Sequence, residues 1–117
     1  MVKAKITIGG KTYDEFPTQV TDDFGFTFTF NVKNNDNSVF DLTDHTAKFK
    51  ARQYSSAVNQ IDGNCVITDA ENGVCTYTLG TSDLTVEGRF STELELTNGT
   101  TSIQTAKLGD MTVVEDL

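Results

Sequence analysis

The chain has no tryptophan, one histidine, one proline and two cysteines among its 117 residues. Most phenylalanines fall at alternating positions that predict burial, so Tyr13 and Tyr54 are the only aromatic residues expected on loops or edges. Two exposed aromatic rings are too few to predict sugar binding. His45 is the only imidazole, and no nucleophile elbow accompanies it, so we predict a surface residue rather than the base of a Ser–His–acid set. The sequence therefore predicts a protein that is not an enzyme.

Cations are also scarce, with nine Lys and Arg against seventeen Asp and Glu and a formal net charge of −8. Nucleic-acid binding needs clustered cations that displace phosphate counterions, and the sequence shows no such cluster. The same argument weighs against an anionic membrane surface. We interpret the acidic excess as favouring solubility, with docking on a basic neighbouring protein as the alternative.

Long apolar runs are missing as well. No stretch approaches the roughly 20 residues of a membrane span. The first ten residues, MVKAKITIGG, alternate in polarity and lack the continuous apolar segment of a signal peptide. The sequence therefore predicts a protein that is made and kept in a cytosol.

The two cysteines, Cys65 and Cys75, flank a predicted hairpin whose turn lies at residues 69–73. That turn puts Ile67, rather than Cys65, opposite Cys75, which disfavours a disulfide. A reducing compartment disfavours it again. We predict two small buried apolar side chains, with a disulfide as the alternative.

One segment has the beginning of a calcium-binding pattern. Asn34, Asp36 and Ser38 alternate like the first ligands of a calcium loop, but Val39 replaces the required glycine and His45 the bidentate glutamate. We predict an Asx-type turn here instead. The alternative left open is an incidental ion held between loops by Asp22, Asp23, Asp41 or Asp44. We assign no catalytic, cofactor-binding or metal-binding residue and no cofactor.

What the sequence does contain is alternation, most clearly in residues 24–52. Phe24, Phe26, Phe28, Phe30 and Val32 recur at every second position, which predicts a strand with these five side chains in the core. Shorter alternating runs occupy residues 2–8, 46–53, 65–68, 74–79, 88–97, 101–107 and 111–114. Residues 54–63 have no clear period and are predicted to form a loop.

Turn signals separate these runs roughly every 8–12 residues, a spacing typical of a β-sandwich. Asn98-Gly99 is the strongest hairpin signal among them, since both residues tolerate positive φ. The predicted fold class is all-β, an immunoglobulin-like antiparallel β-sandwich of about 7–9 short strands. We expect residues 1–117 to form a single domain.

The order of these parts resembles a known family. Residues 39–49 read VFDLTDHTAKF, after a polar turn, and residues 69–79 read DAENGVCTYTL. The first resembles the "polar turn, apolar residue, D-L-T-G-A, alternating strand" pattern of the N-terminal immunoglobulin-like domain of phage baseplate upper proteins. The second resembles that family's "turn, G-x-x-x-Y" hairpin, and residues 82–96 resemble its closing hairpin. Asp44 stands where the family has glycine, and His45 where it has alanine.

The resemblance implies a virion structural protein, a non-enzymatic adaptor of the tail/baseplate or of the head surface that docks on other virion proteins. No nucleic acid, membrane or cofactor is expected, and a homo-oligomer through particle symmetry stays open. Residues 1–8 or 111–114 are expected to form edge strands that pair with a neighbour. The alternative is a free-standing binding module for a host cell-surface glycan or protein.

Overall fold

The computed structural model describes residues 2–115, which form two five-stranded β-sheets packed face to face. The strands are β1 Val2–Ile8, β2 Lys11–Tyr13, β3 Gln19–Val20, β4 Thr27–Asn34, β5 Thr46–Gln53, β6 Asn59–Asn64, β7 Val66–Asp69, β8 Val74–Thr78, β9 Gly88–Asn98 and β10 Ser102–Val114. The first sheet has the order β2-β1-β4-β8-β7, and the second has the order β3-β10-β9-β5-β6. The predicted all-β sandwich is confirmed, and residues 2–115 contain no helix that could span a membrane.

The core lies between the sheets and is filled by the alternating side chains of their strands. Phe28 and Phe30 of β4 and Phe49 of β5 are fully buried. The rings of Phe30 and Phe49 stack across the two sheets with centroids 5.5 Å apart. Because successive side chains on a strand point to opposite faces, the intervening polar residues reach solvent.

Phe16 belongs to the core although it lies outside the strands. It follows β2, is buried, and places its ring 5.1 Å from that of Phe28 and 5.7 Å from that of Phe49. Strand β2 ends at Tyr13, and Asp14 and Glu15 after it are exposed. Phe16 then turns inward between the sheets.

Two predicted core residues are exposed instead. Phe24 and Phe26 have relative exposures of 59% and 47%. Strand β4 begins only at Thr27, opposite Thr78, so the residues before it form a loop at the end of the sandwich. Their alternation continues that of the strand, but no second sheet covers them, and the prediction that they are core residues is wrong.

The predicted loop over residues 54–63 is confirmed for residues 54–58 but wrong for residues 59–63, which belong to strand β6. This edge strand pairs with β5 and places one apolar side chain, Ile61, in the core. Its Asn, Gln, Asp and Gly content hides the pattern, because an edge strand with a short buried face has few apolar positions.

The ten strands exceed the predicted 7–9 because β2 and β3 are only three and two residues long. Strand β3 also pairs in parallel with the end of β10, so the second sheet is mixed rather than purely antiparallel. Strand β10 joins two predicted strands through a bulge between Lys107 and Gly109. The buried Thr92 hydroxyl donates a 2.7 Å hydrogen bond to the Gly109 carbonyl and so satisfies the disrupted ladder.

The turn before β5 has a left-handed backbone conformation at Asp44, whose φ is +64° and which stands at the glycine position of the resembling pattern. Asp41 stabilises the turn, since its Oδ1 accepts 2.9 Å and 2.6 Å hydrogen bonds from the Thr43 amide and hydroxyl. The His45 amide donates to the Leu42 carbonyl at 3.0 Å. Aspartate is among the few residues that adopt this conformation at modest cost.

Gly73, the glycine of the G-x-x-x-Y hairpin, has a steric reason to lack a side chain. Its φ is +71°, and a Cβ atom would lie 2.6 Å from the Phe40 carbonyl oxygen and 2.7 Å from that of Val32. The Gly73 carbonyl accepts a 2.8 Å hydrogen bond from the Val32 amide. The hairpin turn is thereby fixed against β4.

Candidate docking surfaces

Several loops meet at one end of the sandwich, which we call the loop end and define as residues 21–26, 54–58, 79–87 and 114–115. Strand registers place these segments together, since Thr27 pairs with Thr78, and Gly88 pairs with Val113. The Asp22 amide also donates a 2.8 Å hydrogen bond to the Leu84 carbonyl. Loops from both sheets therefore form one continuous surface.

The loop end holds most of the large apolar side chains that residues 2–115 expose. Six of the nine lie there: Phe24, Phe26, Tyr54, Val58, Val86 and Val114. The other three are Val39, Val66 and Ile103. Exposed apolar residues scattered singly are ordinary, whereas their concentration on one surface is typical of an interaction site.

The same surface is predominantly acidic, and Arg89, whose guanidinium lies against the Tyr54 ring, is paired with Asp110. Its segments contain five acidic residues and no Lys or Arg: Asp22, Asp23, Asp83, Glu87 and Glu115. An apolar surface bordered by carboxylates is complementary to an apolar surface bordered by cations.

A hydrogen-bonded cluster beside the loop end orders the turn after β5. The Tyr54 hydroxyl donates to Asp110, and Arg89 donates to the same carboxylate at 2.6 Å. These two bonds hold the pKa of Asp110 below its usual value, and the bond to Asp110 raises the pKa of Tyr54. The Arg89 guanidinium also lies 5.4 Å from the centre of the Tyr54 ring.

A second cluster orders the loop between β8 and β9. The Tyr77 hydroxyl and the Gly80 amide donate to Asp83 Oδ2 at 2.6 Å and 2.8 Å. Burial, together with this carboxylate, raises the pKa of Tyr77. The Gln60 side-chain amide donates to the Ser82 carbonyl at 3.2 Å. The loop end is thus built on fixed supports from both sheets.

A second surface carries the opposite charge. A groove of about 540 Å³ lies along β1. We call it the lysine groove, and it is lined by Lys3, Ala4, Lys5, Asp14, Asn31, Lys33, Asn37 and Lys107. It contains four of the nine cations of the chain. The sequence showed no cation cluster because these lysines come from β1, β4 and β10, far apart along the chain.

The predicted edge strands have different positions in the sheets. Strand β10 lies between β3 and β9, and β1 lies between β2 and β4, so neither is a complete edge. However, β2 pairs only with Ile6–Ile8, and within residues 2–115 no strand pairs with residues 2–5 on that side. The prediction of an edge is therefore wrong for Val113 and Val114, which pair with β3, and agrees with the structure for residues 111–112 and 2–5. Met1 lies outside the described residues, and pairing with a neighbour stays a prediction.

The residues considered for metal binding form turns. The Asp36 carboxylate accepts hydrogen bonds from the Ser38 amide at 3.0 Å and the Ser38 hydroxyl at 2.6 Å, which is the predicted Asx turn. The bonds from Ser38 lower the pKa of Asp36, and the bonds from Thr43 lower that of Asp41. Within residues 2–115, no three His, Cys, Asp or Glu side chains are grouped to hold a metal ion.

His45 lies half-buried in the turn before β5. Its Nδ1 is 2.9 Å from the Thr43 carbonyl oxygen, and its ring packs edge-on against Phe40 with centroids 5.3 Å apart. These contacts are structural.

Cys65 and Cys75 are free thiols, half-buried and buried respectively, and Ile67 lies opposite Cys75 as predicted. The hydrogen bond with Cys75, reinforced by burial, raises the pKa of the Cys65 thiol. A protonated thiol is a poor nucleophile, so Cys65 resembles an apolar core residue in its chemistry.

Comparison with known proteins agrees with the resemblance noted in the sequence. A search of curated proteins finds no match. The model of the BppU N-terminal domain family matches residues 10–116. The match covers nearly all of the strands described above, including both turns with family motifs. The chain therefore belongs to the BppU N-terminal domain family, a structural domain of phage baseplates.

Proposed function

We propose that this domain is a non-enzymatic, immunoglobulin-like adaptor of the phage baseplate that acts by docking on another virion protein through its loop end. The single observation that carries the proposal is the concentration of exposed apolar side chains on a surface whose own segments carry five acidic residues and no Lys or Arg. We further propose that residues 1–117 act as one domain and that their site of action is the assembled virion.

The chemistry of the loop end defines the partner. Phe24 and Phe26 are exposed aromatic side chains of this surface, and aromatic anchors commonly contribute most of the binding energy at protein interfaces. The surrounding carboxylates favour a partner surface that is apolar at its centre and carries Lys or Arg at its border. Membership of a baseplate family supports a tail location over the head surface.

The test is complementation of a phage that lacks this gene with variants supplied in the host. Phe24→Ser with Phe26→Ser removes the two anchors, and Ile103→Ser is the matched control because its side chain is equally exposed but lies outside the loop end. Mass spectrometry of purified particles measures how many copies are incorporated. We expect the double variant to be incorporated at least tenfold less, and the control at the wild-type level.

Thermal unfolding of each purified variant establishes that the fold is retained, since exposed positions tolerate polar substitution. Normal incorporation of the double variant would contradict the proposed docking face. Absence of the wild-type chain from particles, together with adsorption of the isolated domain to host cells, would instead favour a free-standing binding module.

A further inference from the structure

We propose that the lysine groove is a second interaction surface, which receives an extended, carboxylate-bearing segment of a neighbouring polypeptide as an added strand beside β1. This inference goes beyond docking through the loop end, because the groove lies along β1 and shares no residue with that surface.

The first support is a pair of cations that form no direct ion pair, although Lys3 interacts at longer range with the Asp36 carboxylate. Lys3 and Lys33 are directly opposite each other in the pairing of β1 with β4, where like charges repel. Within residues 2–115, Lys5 and Lys107 have carboxylate partners, whereas Lys3 and Lys33 form no ion pair. An anionic group in the groove would relieve this repulsion.

The second support is the backbone amide and carbonyl of Ala4, a donor and acceptor pair that an extended polypeptide matches. Gly9 and Gly10 form the two-residue turn between β1 and β2, and Ile8 pairs with Lys11 beside it. In such a hairpin the residues that flank the turn exchange hydrogen bonds, and alternate residues then face the same side. Ile8 and Ile6 therefore bond toward β2, and Ala4 has the same parity but lies beyond the end of β2.

The Ala4 amide and carbonyl thus point to the open side of the strand, and Ala4 lines the groove. An extended segment placed there gains main-chain hydrogen bonds, as in other cases of strand addition. Lys3 and Lys5 are two residues apart, a separation of about 6.6 Å along a strand. This spacing matches carboxylates at alternate positions of an added strand, which predicts an acidic residue at every second position.

The test uses the isolated wild-type domain and a synthetic eight-residue peptide of alternating Thr and Glu. Titration is followed by backbone amide resonances and by hydrogen exchange. We expect saturable shifts in the amides of β1, with slowed exchange at Ala4. The same peptide with N-methyl groups on alternate backbone nitrogens is expected to lose most of the binding, because it cannot complete the ladder.

Two charge variants complete the experiment. Lys3→Gln with Lys33→Gln is expected to weaken peptide binding about 2- to 30-fold, the range for loss of two exposed ion pairs. Lys11→Gln with Lys48→Gln removes the same charge outside the groove and is expected to change the affinity less than twofold. The loop-end variant is expected to bind the peptide normally, so the two proposals fail or succeed separately.

Three outcomes would overturn the inference. The peptide shows no binding at low salt, or polyphosphate and the N-methylated peptide bind as well as the original, which would mean a general anion surface. Alternatively, the Lys3 and Lys33 variant self-associates while the wild type does not bind the peptide, which would mean that these lysines only protect an open strand edge from association.

Discussion

Asp44 is the residue that explains most about the backbone of the turn before β5. Its φ of +64° lies in the left-handed region, where glycine is usual and other L-residues are strained by about 1–2 kcal/mol. The Thr43 amide and hydroxyl donate hydrogen bonds to the Asp41 carboxylate, and these bonds stabilise the turn. The sequence pattern retains the family's turn because aspartate tolerates the conformation, even though the glycine itself is absent.

Substitution of Asp44 tests this explanation. We expect Asp44→Gly to raise the free energy of unfolding by about 0.5 kcal/mol, because relief of strain exceeds the entropy cost of glycine. Asp44→Val is expected to lower it by about 1–2 kcal/mol, since a β-branched residue is disfavoured at positive φ. Urea unfolding monitored by circular dichroism measures both changes.

Asp23→Gly is the matched control, because Asp23 is a loop aspartate outside the set of positive-φ residues. We expect this substitution to leave the free energy of unfolding unchanged or to lower it. A valine variant at position 44 as stable as the wild type would show that the turn adapts and that its conformation is not required.

Among elements, the hairpins and the long strands follow from sequence, whereas the edges do not. Apolar and polar residues alternate over most of the length of strands β4, β5 and β9, so their core faces can be predicted from the sequence. Strand β6 cannot be predicted in this way, because this edge strand contributes only Ile61 to the core. Phe24 and Phe26 show the opposite error, since alternation continues past the point where pairing stops.

The contact between β10 and the turn after β5 predicts a pH effect. The Asp110 carboxylate accepts a hydrogen bond from Tyr54, which raises the pKa of that phenol above its ordinary value of 10.0. Asp110→Asn removes the negative charge, so we expect the pKa of Tyr54 to fall toward 10.0. Tyrosine ring carbon resonances measured from pH 8 to about 12 report this value, with Tyr54→Phe for assignment.

The pKa of Asp110 itself shifts in the opposite direction to that of Tyr54. Its pKa is lowered in the folded protein, so its stabilising effect is present above the ordinary value of 3.8 and is lost as the pH falls through the lowered value. Asp62→Asn is the control, since Asp62 pairs with Lys48 elsewhere on the second sheet. An unchanged Tyr54 pKa in the Asp110 variant would contradict the assigned contact.

For the whole molecule, the packing of the two sheets depends on a residue outside both. Phe16 lies in the connection between β2 and β3, yet its ring contacts those of Phe28, Phe30 and Phe49. It therefore joins β4 of the first sheet to β5 of the second. Nothing in its neighbourhood, which includes Glu15 and Pro17, distinguishes it from an exposed loop residue.

Removal of this side chain tests its role in closing the sandwich. We expect Phe16→Ala to lower the free energy of unfolding by about 3–5 kcal/mol, the usual cost of a buried phenylalanine. Phe24→Ala is the matched control, since the side chain at that position is exposed and its loss is expected to cost within about 0.5 kcal/mol. Equal losses in denaturant unfolding of the two variants would show that Phe16 does not close the core.

Charge distribution is likewise a property of the whole molecule. The sequence fixes a net charge of −8, but only the sandwich separates an acidic, apolar loop end from a groove that holds Lys3, Lys5, Lys33 and Lys107. Surface charges act on a partner through their positions in space, within a screening length of about 8–10 Å. Residues thirty or more positions apart along the chain therefore act as one site only after folding.

The sequence by itself determined the all-β class, the main strands, the principal turns and the family, because periodicity and turn chemistry are local properties. Folding decided which alternating residues are covered, where β1 stays open and which charges meet. Each of these depends on contacts between segments that are distant along the chain. Both candidate docking surfaces consist of such distant segments, and so neither can be identified from the sequence alone.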